Sequence, residues 1–206
     1  MARYLGPVCR IQRRLGVDLG LKRFQAFGKK ERDFPPGQHG TRRGRGKESD
    51  YRMQLREKQK ARYLYGLLEK QFRNYYRKAA RMRGATGENL FQLLECRLDN
   101  VVFRMGFALT RAQARQLIRH GHFSVNGKKV DIPSYLVSPG DIVKIKEKSR
   151  EIPNVQLAWN MAQSSGALDW LSRDTAEFTG TFDRLPSLEE IKIPVKESLI
   201  VEFYSR

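Results

Sequence analysis

The chain has 206 residues, of which 40% are hydrophobic, and a mean hydropathy of −0.62, so it is long enough for one or two modest domains. No apolar run reaches the ~20 residues that a membrane-spanning helix needs, and the first ten residues lack the apolar core of a signal peptide. Cys9 and Cys96 are the only cysteines, which excludes the disulfide framework of small secreted domains. We therefore expect a soluble, cytoplasmic protein.

Charge restricts the partners further. The net charge is +18 and the pI is near 10.2, and self-repulsion of this size destabilises a compact chain unless a polyanion neutralises it. Residues 1–100 carry 25 Lys and Arg against 10 Asp and Glu, and residues 101–150 carry 10 against 3, whereas residues 151–206 carry 5 against 9. We expect nucleic acid to bind the basic part and a protein to bind the acidic last quarter.

The first 48 residues form a basic extension that is rich in glycine and proline. Pro35-Pro36-Gly37 and the glycines that follow interrupt any regular element, which predicts a loop that is ordered by its partner. The segment 41–47, TRRGRGK, has four cations in seven residues, and flexible Arg-Gly segments fold onto RNA phosphates. We therefore expect RNA to bind Arg42, Arg43, Arg45 and Lys47. A charge run that only keeps the chain soluble is the alternative.

Residues 49–95 are predicted to form a basic helical domain. Apolar side chains recur at steps of three and four between Tyr51 and Ala79, and Gly66 indicates a break between two helices. The tyrosines of this segment are expected in the core, with stacking on RNA bases as the alternative. The cations of this domain that we expect to bind RNA are Arg52, Arg56, Lys58, Arg62 and Arg73.

Residues 96–157 are predicted to form a small module of two helices and a β-hairpin. The apolar face of the first helix consists of Leu90, Leu94, Leu98, Val101, Val102 and Met105. Thr110 with Gln113 is a capping box that begins the second helix, and Gly121 ends it. Asn126-Gly127 suits a two-residue turn. The apolar residues that alternate around this turn are Phe123, Val125, Val130 and Ile132.

One face of the second helix is cationic. Arg111, Arg115 and Arg119 fall within an arc of roughly 80°, at about 100° per residue. Because a planar guanidinium holds phosphate with two donors, we expect this face to clamp RNA. An Arg115→Glu substitution should then weaken RNA binding more than about tenfold and leave the fold intact. The other residues of the module that we expect to contact RNA are Arg104, His120, His122, Lys128 and Lys129.

The last segment, residues 158–206, is expected to carry the acidic surface and to pack back on the N-terminal domain. Residues 152–165 are predicted to be helical, 168–186 irregular and 199–204 a terminal strand, since the run LIVEFY is rich in β-forming residues. The chain as a whole is predicted to be an α+β, mainly helical protein into which the module of residues 96–157 is inserted.

Motifs for catalysis are absent from the sequence. It has no phosphate-binding glycine loop, no His-Glu-x-x-His and no nucleophile elbow, so we predict neither an enzyme nor a cofactor. Arg97-Leu98-Asp99 is similar to the short motif that carries the catalytic aspartate of pseudouridine synthases. No catalytic domain surrounds it here, and a salt bridge or a helix contact of Asp99 is the expected role. The available soft metal ligands, which lack paired Cys-x-x-Cys spacing, are Cys9, His39, Cys96, His120 and His122.

The chain closely resembles the bacterial small-subunit ribosomal protein four family over essentially its full length. The stretches that carry the resemblance are residues 2–7 (ARYLGP), 36–40 (PGQHG), 55–60 (LREKQK), the module at 97–130 and the terminal 199–206 (LIVEFYSR). The module alone is also similar to RNA-binding modules of pseudouridine synthases, some tRNA synthetases and heat-shock RNA-binding proteins. The five stretches together favour the ribosomal family.

The resemblance implies an RNA-binding module of the alpha-L type in a structural protein of the small ribosomal subunit. It implies primary binding to ribosomal RNA at a junction of several helices in the 5′ domain, early in assembly of the subunit body. It also implies contact with ribosomal protein five, which influences decoding accuracy. The loop with Arg42, Arg43 and Arg45 would then lie where messenger RNA enters the subunit, near ribosomal protein three.

One informative departure from the family concerns zinc, since some relatives hold the ion with four cysteines in the N-terminal segment. Here Cys9 is present, but Gln12 occupies its partner's position and no cysteine lies between residues 10 and 95. We predict a zinc-free protein. Three other functions stay open: an RNA-modifying enzyme, which requires Asp99 in a pocket; a stand-alone RNA-binding regulator; and a DNA-compacting protein, which predicts equal affinity for duplex DNA and junction RNA.

Overall fold

The computed structural model describes residues 4–21, 34–41, 48–164, 166 and 168–205. The chain divides into two compact units: unit 1 comprises Met1–Leu90 with Lys192–Arg206, and unit 2 comprises Phe91–Ile191. The C-terminal segment thus returns to the N-terminal domain, as predicted, but from residue 192 onward. Residues 158–191 belong with the RNA-binding module instead, because two of their strands extend its sheet.

Within the described residues, the helices are α1 (Val8–Leu15), α2 (Asp50–Leu64), α3 (Glu69–Ala79), α4 (Thr86–Glu95), α5 (Leu98–Arg104), α6 (Arg111–Arg119), α7 (Glu147–Arg150), α8 (Pro153–Ser164), α9 (Leu188–Ile191) and α10 (Glu197–Tyr204). The strands are β1 (Phe123–Val125), β2 (Lys128–Lys129), β3 (Ile142–Ile145), β4 (Leu171–Asp174) and β5 (Thr179–Phe182). This content confirms the predicted α+β, mainly helical class.

Unit 1 contains the two predicted helices of the basic domain. Helix α2 begins at Ser49, whose hydroxyl accepts a hydrogen bond from the Arg52 N–H at 3.4 Å. Gly66 has a φ of +62° in the connection to α3, which confirms the predicted break. Ala61 and Phe72 are fully buried between the helices of this unit. The predicted loop at residues 1–48 is wrong for Val8–Leu15, because that segment buries an apolar face and forms α1.

The predicted terminal strand is wrong, because residues 197–204 form helix α10. The helix packs against α2, buries Ile200 completely and stacks Tyr204 on Tyr76 with ring centroids 4.6 Å apart. The Tyr204 hydroxyl donates to Glu69 Oε1 at 2.8 Å. A short apolar run has no period that separates strand from helix, so these tertiary contacts decide its conformation.

Unit 2 contains a five-stranded antiparallel sheet with the strand order β2-β1-β3-β5-β4. The prediction that residues 168–186 are irregular is wrong, since they hold β4 and β5. The turn between these strands uses Phe178 at φ +53° and the Asp174 carboxylate, which accepts from the Ala176 N–H at 2.9 Å. A positive φ is uncommon at phenylalanine, so the sequence does not indicate a turn at this position.

The helix predicted to run from Leu90 to Met105 is divided into α4 and α5. All six of its apolar residues are buried, but Arg97 forms an isolated β-bridge with Leu136, and the Leu98 N–H donates to Tyr135 O at 2.8 Å. These bonds to another segment replace the helical ones and interrupt the helix. The arrangement of two short helices before a hairpin is confirmed, and helix α8 is confirmed within one residue at each end.

The core of unit 2 is aromatic. Phe107 stacks on Trp159 at 4.7 Å, and Trp170 meets Phe182 edge-on at 5.7 Å. The hairpin contributes Phe123 and Val125 to this core, as predicted, whereas Ile132 is 54% exposed because β2 ends at Lys129. The core therefore supports α6 and the first hairpin strand from one side.

Candidate RNA interface

Helix α6 begins at a hydrogen-bonded cap. The Thr110 hydroxyl accepts from the Gln113 N–H at 3.2 Å, and Gln113 Oε1 accepts from the Leu109 N–H at 2.8 Å. The glutamine reaches one residue further back than in the usual capping box, but it satisfies the same kind of unpaired donor. The predicted start of the helix is therefore confirmed.

Helix α6 ends in a glycine that a lysine covers. Gly121 has a φ of +73°, and the N–H groups of Gly121 and His122 donate to Ile118 O and Leu117 O at 2.8 and 3.2 Å, which is a Schellman motif. A Cβ at position 121 would lie only 2.6 Å from Cε of Lys129. The aliphatic part of Lys129 therefore lies directly over the end of α6.

The hairpin presents two lysines next to this helix end. Asn126 and Gly127 have φ values of +49° and +77°, as the predicted two-residue turn requires. Asn126 Oδ1 also accepts from the Ile142 N–H at 2.9 Å, which ties the turn to β3. Lys128 pairs with Val125, and both lysines of β2 are exposed. The rigid turn fixes where their stems leave the backbone.

Five basic residues surround the end of α6, and we call them the α6-end patch: Arg119, His120, His122, Lys129 and Lys146. The rings of His120 and His122 lie 6.0 Å apart, and the Lys146 N–H donates to His122 O at 2.9 Å. Four of the five are exposed and His122 is half-buried. Within the part of the chain that the structure describes, none of the five pairs with a carboxylate.

The electrostatics of His122 show the effect of this concentration of charge. Partial burial lowers the pKa of His122, and the charges of His120 and Lys146 lower it further. His122 Nδ1 lies 2.8 Å from the hydroxyl of Ser149, which is itself buried. The patch therefore concentrates positive charge, and a bound anion would reduce the electrostatic repulsion among its side chains.

Arg115 does not contribute to this patch, contrary to the sequence-based expectation. Its Nε and Nη2 donate to Asp99 Oδ2 at 3.0 and 2.6 Å, and its side chain is only 10% exposed. Asp99 is 3% exposed and is also bound by Arg97 at 3.0 and 2.7 Å. The predicted salt bridge of Asp99 is confirmed. Because Arg115 neutralises a buried carboxylate, we now expect Arg115→Glu to disturb the fold rather than leave it intact.

Two further predicted cations of the module are anchored inside unit 2. Arg104 donates through Nε and Nη2 to the buried carboxylate of Glu95 at 3.0 and 2.9 Å. Arg111 donates to Asn100 Oδ1 at 2.7 Å, and its guanidinium lies 4.5 Å from the ring centroid of Phe103. Of the three arginines predicted to form one cationic face on α6, Arg119 is the exposed one.

In unit 1, most of the predicted cations also have internal acceptors. Those that bond to groups of unit 1 are Arg52, Arg56, Lys58 and Arg62. Lys58 is the clearest case, since its side chain is 5% exposed and its Nζ lies 2.8 Å from Glu69 Oε2. Arg56 Nη2 donates to Leu15 O at 2.9 Å and holds α1 against α2.

Arg73 is exposed, as RNA contact requires, and it belongs to a larger basic stripe that our candidate set missed. This α3 stripe consists of the exposed residues Lys70, Arg73, Arg77, Lys78, Arg81 and Arg83. The signal for it is present in the sequence, because no Asp or Glu occurs between Glu69 and Glu88. Lys146 was missed for a different reason: only the hairpin register places it beside His122.

Some predictions concern positions that the structure does not describe or test. Arg42, Arg43, Arg45 and Lys47 lie outside the described residues. The described residues contain no group of His, Cys, Asp or Glu that could hold a metal ion. Gln12, at the position of a cysteine in zinc-binding relatives, is buried and donates to Asp18. The zinc-free state stays a prediction. No helix in the described ranges is long and apolar enough to cross a membrane.

Comparison with known proteins identifies the family. Residues 3–95 match the ribosomal protein S4/S9 N-terminal domain, and residues 96–143 match the S4 domain. Three relatives named small ribosomal subunit protein uS4 come from Thermodesulfovibrio yellowstonii, Natranaerobius thermophilus and Hahella chejuensis. They are 53%, 55% and 54% identical to this chain, and each match covers 100% of both chains. The chain belongs to the uS4 family.

Membership of the uS4 family confirms the resemblance that the sequence motifs indicated. The chain is a structural protein of the small ribosomal subunit in the bacterial cytoplasm, with an RNA-binding S4 domain, and it is not an enzyme. The buried, doubly paired state of Asp99 agrees with the absence of catalysis. The S4 domain match ends at residue 143, so Lys146 of the patch lies just beyond it.

Proposed function

We propose that this uS4 protein binds small-subunit ribosomal RNA directly, at a helical junction of the 5′ domain, and nucleates folding of the subunit body. The observation that carries the proposal is the α6-end patch, where five basic side chains converge without a carboxylate partner among the described residues. Closely spaced RNA phosphates are the anions that would satisfy such a site.

The rigidity of the patch supports recognition of RNA shape. Both ends of α6 are capped, and the Asn126-Gly127 turn is tied to β3. A junction presents phosphates at fixed spacings that a regular helix lacks, and a rigid set of cations can match such spacings while A-form grooves hide most base edges. Counterions released from the phosphates then supply much of the affinity.

The α3 stripe supports a second RNA contact in unit 1. Its six exposed cations occur in a segment without acidic residues, so no local carboxylate competes with phosphate for them. The side chains that bond within unit 1, such as Arg56 and Lys58, are assigned to stabilising that unit instead.

Binding of a transcript of the 5′ domain of small-subunit ribosomal RNA tests the proposal. Wild-type protein and K128E/K129E are titrated by fluorescence anisotropy at several salt concentrations. The variant should bind at least about tenfold more weakly, and its plot of log K against log salt should be shallower by about 0.7 to 0.9 for each lost phosphate contact. K192E, which reverses one exposed lysine of unit 1, is the control. Equal affinities for wild type and K128E/K129E would contradict this assignment.

The proposal includes contact with ribosomal protein five and an influence on decoding accuracy. Support comes from the acidic last quarter, in which Asp183 and Glu189 are exposed. Purified ribosomal protein five should bind the full chain, and D183K/E189K should weaken that binding, whereas E147K outside the acidic quarter should not. Unchanged binding of ribosomal protein five to D183K/E189K would contradict the assignment of this surface to that contact.

The basic loop is proposed to lie near messenger RNA and ribosomal protein three, on the strength of its four cations alone. Crosslinking of messenger RNA to assembled small subunits should be reduced by replacing Arg42, Arg43, Arg45 and Lys47 with serine. Undiminished crosslinking would contradict a position of these four residues near messenger RNA.

A further inference from the structure

We infer that the α6-end patch is a proton-linked phosphate site, in which His122 takes up a proton when RNA binds and releases it when RNA leaves. This inference rests on the proposed binding of RNA at the same patch. It adds a dependence on pH that follows from the His122 imidazole rather than from the lysines and arginines.

The geometry places the two histidines among fixed cations. From α6 itself come Arg119 and His120, and from β2 comes Lys129, whose stem crosses Gly121. The segment entering α7 adds Lys146, bonded through its backbone to His122, followed by the exposed Glu147. The charges that act on the pKa of His122 come from His120 and Lys146. In the free protein these positive neighbours disfavour a protonated ring.

The hydrogen bond to Ser149 is compatible with a neutral ring that takes up its proton at Nε2. Nδ1 of His122 lies 2.8 Å from Ser149 Oγ, inside the fold. When Nδ1–H is donated to that hydroxyl, Nε2 of the neutral ring carries no proton and cannot donate to an anion. A proton from solvent at Nε2 converts it into a donor, and a phosphate at the patch then stabilises the imidazolium.

An arriving phosphate reverses the balance of charge at the patch. Its negative charge offsets the repulsion from Lys146, so the His122 imidazole becomes easier to protonate in the complex than in the free protein. By linkage, RNA affinity rises as the pH falls, with a slope of at most about one log unit of affinity per pH unit. We expect affinity to increase about three- to tenfold between pH 8 and pH 6 at constant ionic strength.

Calorimetry on the wild-type chain tests proton uptake without a substitution. The full-length protein is titrated with the 5′-domain transcript at pH 7 in buffers that differ in ionisation enthalpy, and the slope of the observed enthalpy counts the protons taken up. A positive uptake is expected. Tight binding with no proton uptake would overturn the inference and leave the proposed function standing.

Matched variants locate the protons. His39→Gln is the control, because His39 is the third histidine and is exposed in unit 1. H120Q/H122Q should lose most of the uptake and flatten the pH profile, while His39→Gln should keep both. Uptake that persists in H120Q/H122Q would contradict the assignment. If H120Q/H122Q unfolds, NMR titration of the ring protons in the wild-type complex decides, since the His122 ring should titrate at higher pH with RNA than without. Failure of the wild-type protein to bind RNA would instead overturn the proposed function, and this inference with it.

Discussion

Replacement of Arg115 by glutamate should destabilise unit 2 rather than only weaken RNA binding. The substitution removes a guanidinium that lies 2.6 Å from Asp99 and introduces a second carboxylate where the exposed fractions of the two side chains are 10% and 3%. Removing one partner from a buried ion pair costs about 3–5 kcal/mol, and the new repulsion adds to that cost. Because domains are stable by only about 5–15 kcal/mol, this loss removes a large part of the stability of unit 2, which should then unfold at much lower urea.

A milder substitution separates the lost pairing from the new repulsion. Arg97 still donates to both oxygens of Asp99 in an Arg115→Met protein, so the carboxylate keeps one partner. We expect a loss of about 2 kcal/mol, in the range for a hydrogen bond to a charged group. Arg119→Glu on the same helix is the matched control, since Arg119 is exposed, and should change stability by less than about 0.5 kcal/mol.

Urea unfolding followed by tryptophan fluorescence measures these differences in the relevant unit. Both tryptophans, Trp159 and Trp170, are buried in the core of unit 2. A free energy of unfolding for Arg115→Glu within about 1 kcal/mol of the wild-type value would refute this reasoning. A larger loss for Arg119→Glu than for Arg115→Glu would also refute it.

Three other changes test separate parts of the structure. Gly121→Ala should lower the free energy of unfolding in urea by about 1 kcal/mol, since it forces a positive φ on alanine. It should also weaken RNA binding, because the new methyl group displaces Lys129, and an unchanged RNA affinity would refute this second effect. The lowered pKa of His122 means that the unfolded chain takes up a proton first as the pH falls below about 6.5, so this residue's contribution to stability is lost on acidification. Urea midpoints of wild type should therefore fall more steeply between pH 7.5 and 5.5 than those of His122→Gln, and parallel curves would contradict this. Tyr204→Phe removes the hydrogen bond to Glu69 and should cost about 0.5–1 kcal/mol, measured by thermal unfolding of full-length protein; no loss would show that the bond adds nothing.

Local chemistry made parts of the fold predictable. Thr110, Gly121 and Asn126-Gly127 each impose a backbone geometry through a hydrogen bond or a positive φ, and the structure has these features where the sequence indicated them. Gly66 separated α2 from α3 for the same reason. The elements that were missed depend on distant contacts instead. Helix α10 is decided by packing on α2, and the interruption at Arg97 is decided by its β-bridge to Leu136.

The candidate site was predictable in composition but not in detail. Helical spacing places Arg111, Arg115 and Arg119 on one face, but it does not show that a buried Asp99 faces the same side. Spacing therefore separates polar from apolar faces and does not separate cations that bind RNA from cations that neutralise internal carboxylates. Lys146 entered the patch through strand pairing between β1 and β3, which no local pattern reveals.

A competition assay tests the central claim, that this uS4 protein recognises the shape of ribosomal RNA rather than any polyanion. The full-length protein is bound to the labelled 5′-domain transcript at moderate salt and challenged with unlabelled transcript or with duplex DNA of equal phosphate content. The account predicts that DNA competes at least about a hundredfold less effectively than the transcript. Equal competition by duplex DNA would contradict it and would favour a general DNA-compacting protein.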